Sequence, residues 1–328
     1  MATATGFAPK LPEPLQRIVE ARHHDPFEVL GRHLEQGKAV VRVFLPQAES
    51  ARLVEADAPM TRIEGTDFLV WEGDPARVPE RYRIEWIDGA GVTHVHYDPY
   101  CFPAQLPDFD LHLFGEGRHW NAYRVMGSHL REVDGVTGVQ FAVWAPNAER
   151  VSVVGDFNAW DGRAHPMRVR GGNGVWELFI PGLERGGFYK YELRDRHTHI
   201  HIKIDPYAQA FQERPHTAGI ICPETRFRWG DADWMKARAE SSWQHRPFSV
   251  YEVHLGSWRR DPDGNFLDYR LLAKELADYV LDMGFTHVEL LPITEHPLDA
   301  ALPQGRLRPG ALRRLGALRA RRSASRRA

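Results

Sequence analysis

The 328 residues carry 42 Lys and Arg against 44 Asp and Glu, a net charge of −2, with 43% hydrophobic and 26% charged residues. These are ordinary globular proportions, with length for two or three domains and no apolar run near the roughly 20 residues that span a bilayer. The near-neutral total hides an asymmetry, because residues 301–328 hold nine Arg and no acid, leaving 33 basic against 44 acidic residues, net −11, in the first 300; an acidic body argues against nucleic acid as a partner of the main fold.

Taken in chain order, residues 1–18 read as an N-terminal arm. They lack a basic segment followed by an apolar one, so no secretory signal is expected. Cys101 and Cys222 occupy unmatched places, which predicts two free thiols and a reducing cytoplasm, with no membrane partner. A duplication then dominates the chain. Gly31 and His33 recur as Gly127 and His129, Pro46 and Ala48 as Pro146 and Ala148, Trp71 as Trp176, and Tyr82 as Tyr189. Each copy closes on the same tripeptide, Asp98-Pro99-Tyr100 and Asp205-Pro206-Tyr207. A period of about 100 residues is a repeated domain rather than a solenoid. Inside each copy, short β-branched and aromatic runs are split by Gly, Pro, Asn and Asp, the pattern of an antiparallel sandwich.

The fold class expected is mainly β: two tandem immunoglobulin-like β-sandwich modules at 19–106 and 126–232, joined by a linker at 107–125. Alternation assigns Tyr189, Tyr191 and Leu193 to the core of the second module, with Phe188, Lys190 and Glu192 on a solvent face. Trp176, Leu178 and Ile180 likewise share a core face. Gly171-Gly-Asn-Gly174 reads as a hairpin turn, since it lacks the Lys-Ser/Thr ending and following helix of a phosphate loop.

Only the second copy carries the turn Gly155-Asp-Phe-Asn-Ala-Trp160. An indole on a turn offers a flat apolar surface, and a pyranose ring has an apolar face edged with hydroxyls, so Trp160 is the leading ligand candidate. Packing of Trp160 against a neighbouring module is the competing reading. Asn158 is a second candidate, set against the backbone-serving role usual for turn Asn. His197, His199 and His201 share a strand face, as do His94 and His96 in the first copy. No carboxylate or Cys spacing completes a ligand set, so exposed strand faces are expected and metal: none.

The third segment changes period. Residues 248–254 and 285–291 read as buried strands. Between them Asp268 is an N-cap, Leu272, Leu276, Tyr279, Val280 and Met283 follow at helical spacing, and Gly284 is a C′ stop. Strand, helix, strand predicts a βαβ unit with parallel pairing.

Leu113-Phe-Gly-Glu-Gly117, Trp144-Ala-Pro-Asn-Ala148, Gly155-Asp-Phe-Asn-Ala-Trp160, Tyr251-Glu-Val-His-Leu-Gly-Ser-Trp258 and Glu289-Leu-Leu-Pro-Ile-Thr-Glu-His-Pro297 occur in this order. Together they resemble the bacterial glycogen (1,4-α-glucan) branching enzymes over roughly residues 20–300. The resemblance implies a second module of glycogen- and starch-binding type and, at 233–300, the truncated start of an α-amylase-type (β/α)8 barrel. It implies α-glucan (glycogen, amylose) as partner, and Lys190 beside Trp160 as a sugar-hydroxyl contact; a solvated surface Lys is the alternative. Modules of this type often carry a second Trp further on, where this chain has Arg196-His197-Thr198.

The family transfers α-1,4-glucan chains to α-1,6 positions by retaining transglycosylation, without metal or organic cofactor. That reaction takes two carboxyls roughly 5–5.5 Å apart, and the family's acids lie on later strands than those present here. The expectation is therefore catalytic: none, and a chain inactive alone. Glu289 lies mid-strand. His254, Glu295 and His296 sit at strand ends, where a complete barrel would have them line its cleft. The tail 301–328 resembles a GC-rich gene read out of frame; a basic nucleic-acid-binding tail is the other reading. A non-catalytic glucan-binding protein, or part of a debranching or trehalose-forming hydrolase, are alternative functions, with the duplicated first module favouring branching. Helix and strands of an incomplete barrel leave apolar faces bare, so limited proteolysis is expected to trim residues beyond roughly 235–245 first and spare both sandwiches. Uniform resistance to residue 300 would contradict this.

Overall fold

The computed structural model describes residues 11–212, 215–223, 228–291 and 293. The chain divides into two compact units, one running to Ala208 with residues 218–224 added, the other holding 209–217 and the chain from 225 on.

The first unit is β-rich. Helix α1 (Glu13–Val19) precedes eight strands: β1 (Gly31–Glu35), β2 (Lys38–Phe44), β3 (Ala48–Leu53), β4 (Ala58–Pro59), β5 (Thr61–Arg62), β6 (Phe68–Gly73), β7 (Arg83–Asp88) and β8 (Thr93–Tyr97). Helix α2 (Asp108–Gly115) leads to β9 (Gly127–Val133), β10 (Val136–Trp144), β11 (Ala148–Gly155), β12 (Arg168–Arg170), β13 (Val175–Pro181), β14 (Phe188–Asp195), β15 (Ile200–Lys203) and β16 (Gly219–Ile220). The antiparallel sheets run β1-β2-β6-β5 and β4-β3-β7-β8 in the first module, and β12-β13-β10-β9 and β11-β14-β15 in the second, with β16 on β14. The shared path β1-β2-β6 and β3-β7-β8 maps onto β9-β10-β13 and β11-β14-β15. Even the irregularity repeats, as a register shift at Ala48/Ser50 in one copy and Ala148/Arg150 in the other.

Each pair of sheets encloses one core. Val41, Leu53, Leu69, Trp71, Tyr82 and Ile84 fill the first; Phe141, Val153, Trp176, Leu178, Tyr189 and Tyr191 fill the second. The signature pairs of the repeat do the same work twice. Gly31 (φ +91°) and Gly127 (φ +95°) sit where a Cβ would meet Tyr100 and Tyr207, so only glycine suits both the backbone and the space. His33 and His129 each donate Nε2–H to a carbonyl three residues back, Leu30 and Met126, at 2.9 Å. Tyr82 donates its hydroxyl to Asp98 Oδ2, and Tyr189 donates to Asp205 Oδ2 at 2.6 Å. The other carboxylate oxygen of each Asp accepts the N–H of Tyr100 (3.0 Å) or Tyr207 (2.8 Å).

The alternation read from sequence holds for the core faces but not for their opposites. Trp176, Leu178 and Ile180 are buried as expected, yet so are Val175, Glu177 and Phe179. The last residues of the first module cover that second face. Glu177 accepts the N–H groups of Gln105 and Leu106 and pairs with Arg170 at 2.7 Å, and Phe179 takes the edge of Phe102. Phe188, Lys190 and Glu192 are half-buried rather than solvated. His94 and His96 are also half-buried, because His94 stacks on Trp86 with ring centroids 4.2 Å apart and His96 Nε2 accepts the Trp86 indole N–H. Cys101 and Cys222 form no disulfide among the described residues, and burial pushes the Cys101 thiol up to about 12.

In the second unit, α3 (Ala232–Ala239) and β17 (Val250–Val253) are followed by the short α4 (Leu255–Trp258), α5 (Tyr269–Asp282) and β18 (His287–Leu290). Asp268 caps α5 by accepting the N–H groups of Arg270 and Leu271, and Gly284 takes φ +79° behind it. Strands β17 and β18 pair in parallel, Val250 with His287 through Val253 with Leu290. They are shorter than the sequence suggests and half-exposed instead of buried, since α5 covers one face through Leu272, Leu276 and Val280. Met283 is 56% exposed, past the covered stripe. Among the described residues, no helix is long and apolar enough to cross a membrane.

Burial pushes the carboxyls of Asp98 and Asp205 up to about 6. A carboxyl raised on folding favours the fold when protonated, so its contribution is full below the unfolded value near 4 and is lost as pH rises through about 6. Between pH 7 and pH 5 each should add about 1 kcal/mol. Urea titrations of wild type against Asp98→Asn and Asp205→Asn at both pH values check this; identical pH slopes in all three proteins would refute it.

Candidate functional site

Strand β11 ends at Gly155, and the chain then makes a single 3₁₀ turn over Asp156–Asn158 before Ala159 (φ +51°) and Trp160 (φ +61°), two consecutive left-handed residues. Non-glycine residues adopt that region only when neighbours hold them there. Asn158 is one such neighbour. It is buried, its Oδ1 accepts the Gly155 N–H at 3.0 Å, and its Nδ2 donates to Val153 O and to His165 Nδ1, both at 2.9 Å. Burial pushes His165 down to about 3, which keeps that ring nitrogen a neutral acceptor. Every polar position of the Asn158 amide region that faces the turn is thus engaged with protein.

Trp160 is pinned as well. Its backbone N–H donates to Gly155 O at 3.0 Å and its indole Nε1–H donates to Asp156 Oδ1 at 2.9 Å. The ring remains 38% exposed, an immobilised apolar surface at the tip of a turn. Lys190, on β14, has Val154 as register partner, one step from the Gly155–Tyr189 pair where the turn begins. The structure therefore brings Trp160, Asn158 and Lys190 to the same end of the second module, with Asn158 buried, Lys190 half-buried and Trp160 exposed.

Behind the turn lies an ion pair the sequence did not announce. Arg150 is 1% exposed; its guanidinium donates to Glu192 at 2.5 Å, to Gly162 O and to Ser152 Oγ. Gly162 has no room for a Cβ, which would strike the Glu192 carboxylate. The segment after Trp160 is drawn back along β11, where Val153 N donates to His165 O and Met167 N to Val151 O. The first module braces this segment: Gln47 donates to Asn158 O at 3.5 Å, Asp67 pairs with Arg163 at 3.4 Å, and Tyr100 donates to Pro166 O at 3.1 Å.

The remaining sequence candidates fall elsewhere. His199 and His201 donate to Asp195, at 3.3 and 3.0 Å, and these bonds hold its carboxyl well below the usual range. Among the described residues no group of His, Cys, Asp or Glu has the arrangement of a metal site. In the second unit His254 is exposed just past β17, with Nδ1 3.0 Å from Ser257 Oγ, and Glu289 is exposed on β18 beside its register partner Glu252. Glu295, His296 and the tail 301–328 lie outside the described residues. One feature was missed. Trp144, read only as part of a motif, is 54% exposed and lines an open groove of ≈ 330 Å³ with Phe114, Gly117, His119, Ala122 and Tyr207. Its place as the last residue of β10, opposite the core residue Val143, was the available signal.

Comparison with known proteins gives two family matches and a set of similar relatives. Residues 11–100 match the family described as alpha-1,4-glucan branching enzyme GlgB, N-terminal domain, and residues 125–208 match Carbohydrate-binding module 48 (Isoamylase N-terminal domain). The chain is 58% identical over 287 residues to a 1,4-alpha-glucan branching enzyme GlgB of Methylococcus capsulatus, covering 87% of this chain and 39% of that protein. It is 56% identical to the enzyme so named in Cellvibrio japonicus (88% and 41% covered) and 55% identical to that of Nitrosococcus oceani (90% and 40%). The chain thus spans about two fifths of the length of the curated relatives it matches.

Replacing Asn158 with Ala removes three hydrogen bonds around a buried site and should lower stability by about 2–3 kcal/mol. Trp160→Ala, at the exposed tip, should change it by less than about 1 kcal/mol. Urea denaturation of both variants separates the residue that holds the turn from the one it displays; equal losses would undo the distinction.

Proposed function

We propose, for a chain that matches the N-terminal portion of the bacterial glycogen branching enzymes, that its second module holds α-1,4-glucan on the Trp160 turn while chain transfer is performed by residues other than those described. The observation that carries this reading is the pinned, outward-facing indole of Trp160 on a module matching a carbohydrate-binding family. A pyranose ring laid on that surface buries its apolar face, and Lys190 supplies donors to the hydroxyls at the rim. Asn158 contributes by fixing the turn. The first module, which lacks an aromatic tip, serves as the brace supplied by Gln47, Asp67 and Tyr100.

The two β modules, spanning 19–106 and 126–232, are read as immunoglobulin-like sandwiches and the βαβ unit within 233–300 as the opening of a (β/α)8 barrel. In that setting β17 and β18 are its first two strands, and His254 stands at the end of β17 from which a barrel cleft is built. The reaction assigned to the whole protein is retaining transfer of an α-1,4-glucan segment to a 6-hydroxyl. One carboxylate displaces the glycosidic oxygen to form a glycosyl-enzyme while an acid protonates the leaving chain; the acceptor hydroxyl, giving its proton to the conjugate base of that acid, then displaces the carboxylate. The reading includes no metal or organic cofactor and a cytoplasmic location. The match to the GlgB N-terminal domain over residues 11–100 favours branching over the debranching and trehalose-forming alternatives.

In a native gel containing glycogen the 328-residue chain should be retarded, with Trp160→Ala abolishing most of the retardation and Lys190→Ala weakening it several-fold. The same chain incubated with amylose should leave the iodine colour unchanged. Free migration of the wild type ends the glucan-binding reading, and a falling iodine absorbance ends the division between binding and transfer.

A further inference from the structure

We infer that the groove beside Trp144 is a second α-glucan subsite, at the opposite end of the second module from the Trp160 turn. This rests on the reading of the module as a glucan binder. Trp144 closes β10 and Trp160 follows the end of β11, so the two indoles are separated by the length of the eight-residue β11, roughly 25 Å at about 3.3 Å per residue. The groove of ≈ 330 Å³ lies within the range of small-ligand sites. Three of its lining residues, Phe114, Trp144 and Tyr207, are aromatic. Trp144 is oriented as firmly as Trp160 is, because its Nε1–H donates to Asn173 O at 2.8 Å and Phe114 meets its ring edge-on.

The chemistry of the lining selects a neutral ligand with apolar faces. Its only ionisable side chain besides Tyr207 is His119, whose Nε2 lies 2.8 Å from Asp110 Oδ1. A phosphate or a carboxylate would find no uncompensated cation there; a sugar ring finds stacking surfaces with polar groups at their edges. Trp120, 91% exposed, and Tyr123, 58% exposed, stand on the same segment as Gly117, His119 and Ala122. The duplicate sharpens the point. Phe44 closes β2 as Trp144 closes β10, but Phe44 is buried among Ile18, Val29, Leu30 and Phe68 beneath α1. The same position is sealed in one copy and left as an open aromatic groove in the other.

Two subsites on one rigid module bind a polymer bivalently, so glycogen is held more tightly than a short oligosaccharide by the effective concentration of the second contact. Calorimetric titration of the full chain with maltoheptaose should give two sites, falling to one in Trp144→Ala and one in Trp160→Ala. Glycogen affinity should drop at least about ten-fold in either variant. In the wild type, maltoheptaose should slow oxidation of Trp144 by N-bromosuccinimide, read by mass spectrometry, which needs no variant to fold. The inference is overturned if Trp160→Ala alone removes all oligosaccharide binding, or if Trp144 oxidises equally fast with and without sugar. Loss of all binding in Trp144→Ala, with Trp160→Ala unchanged, would instead leave this subsite standing and remove the one proposed at Trp160.

Discussion

A buried tyrosine hydroxyl donated to a buried aspartate closes each module, and the rest of the architecture is arranged around that bond. The aspartate has a second duty, accepting the N–H of the tyrosine two residues later, so it fixes the exit of the chain from the last hairpin. That exit sets the tyrosine backbone against the left-handed glycine that opens the module. Start and finish of each sandwich are thereby held together through one carboxylate. A desolvated carboxylate is costly unless its lone pairs are used, and here both oxygens are. The arrangement tolerates neither a shorter side chain nor a missing hydroxyl without leaving a buried group unmatched.

The Trp160 turn depends on a second layer of the same logic. Arg150, almost without solvent access, pairs with the half-buried Glu192, and its Nη1 also donates to Gly162 O and Ser152 Oγ. Buried pairs of this kind add little net stability but strongly oppose rearrangement, because separating them strands a charge. The Trp160 turn is consequently a fixed feature of the module, shaped before any ligand arrives, which limits the entropy lost on binding.

Much of this was legible in the residues. The repeat was visible from pairs such as Gly31 and Gly127 or Tyr82 and Tyr189, because each serves a local geometric need that only a few side chains meet. Helix α5 was readable from its cap, its stripe and its stop. The outer faces were not. Period-two reading of β13 and β14 assumes that one face meets water, whereas Glu177 and Phe179 are covered by Phe102, Gln105 and Leu106 at the end of the first module and Glu192 by the segment after Trp160. Those coverings come from residues tens of positions away, and no strand's own pattern encodes them. Asn158 was legible as a turn residue, but its burial followed from His165 and Val153 lying behind it. Trp144 escaped notice because alternation says only that it opposes Val143, and whether that side is sealed, as at Phe44, or open depends on where a distant helix packs.

The tyrosine and aspartate of each lock are 16 residues apart in the chain, on either side of one hairpin. Closing so short a loop is inexpensive in chain entropy compared with pairing strands from opposite ends of a module. The final hairpin of the first module can therefore lock as soon as it leaves the ribosome, while its duplicate is still unsynthesised. Neighbouring repeats with the same strand order are prone to exchange strands during synthesis. A lock drawn from each repeat's own last hairpin gives this chain a kinetic defence against that error, built from the same two side chains in both copies.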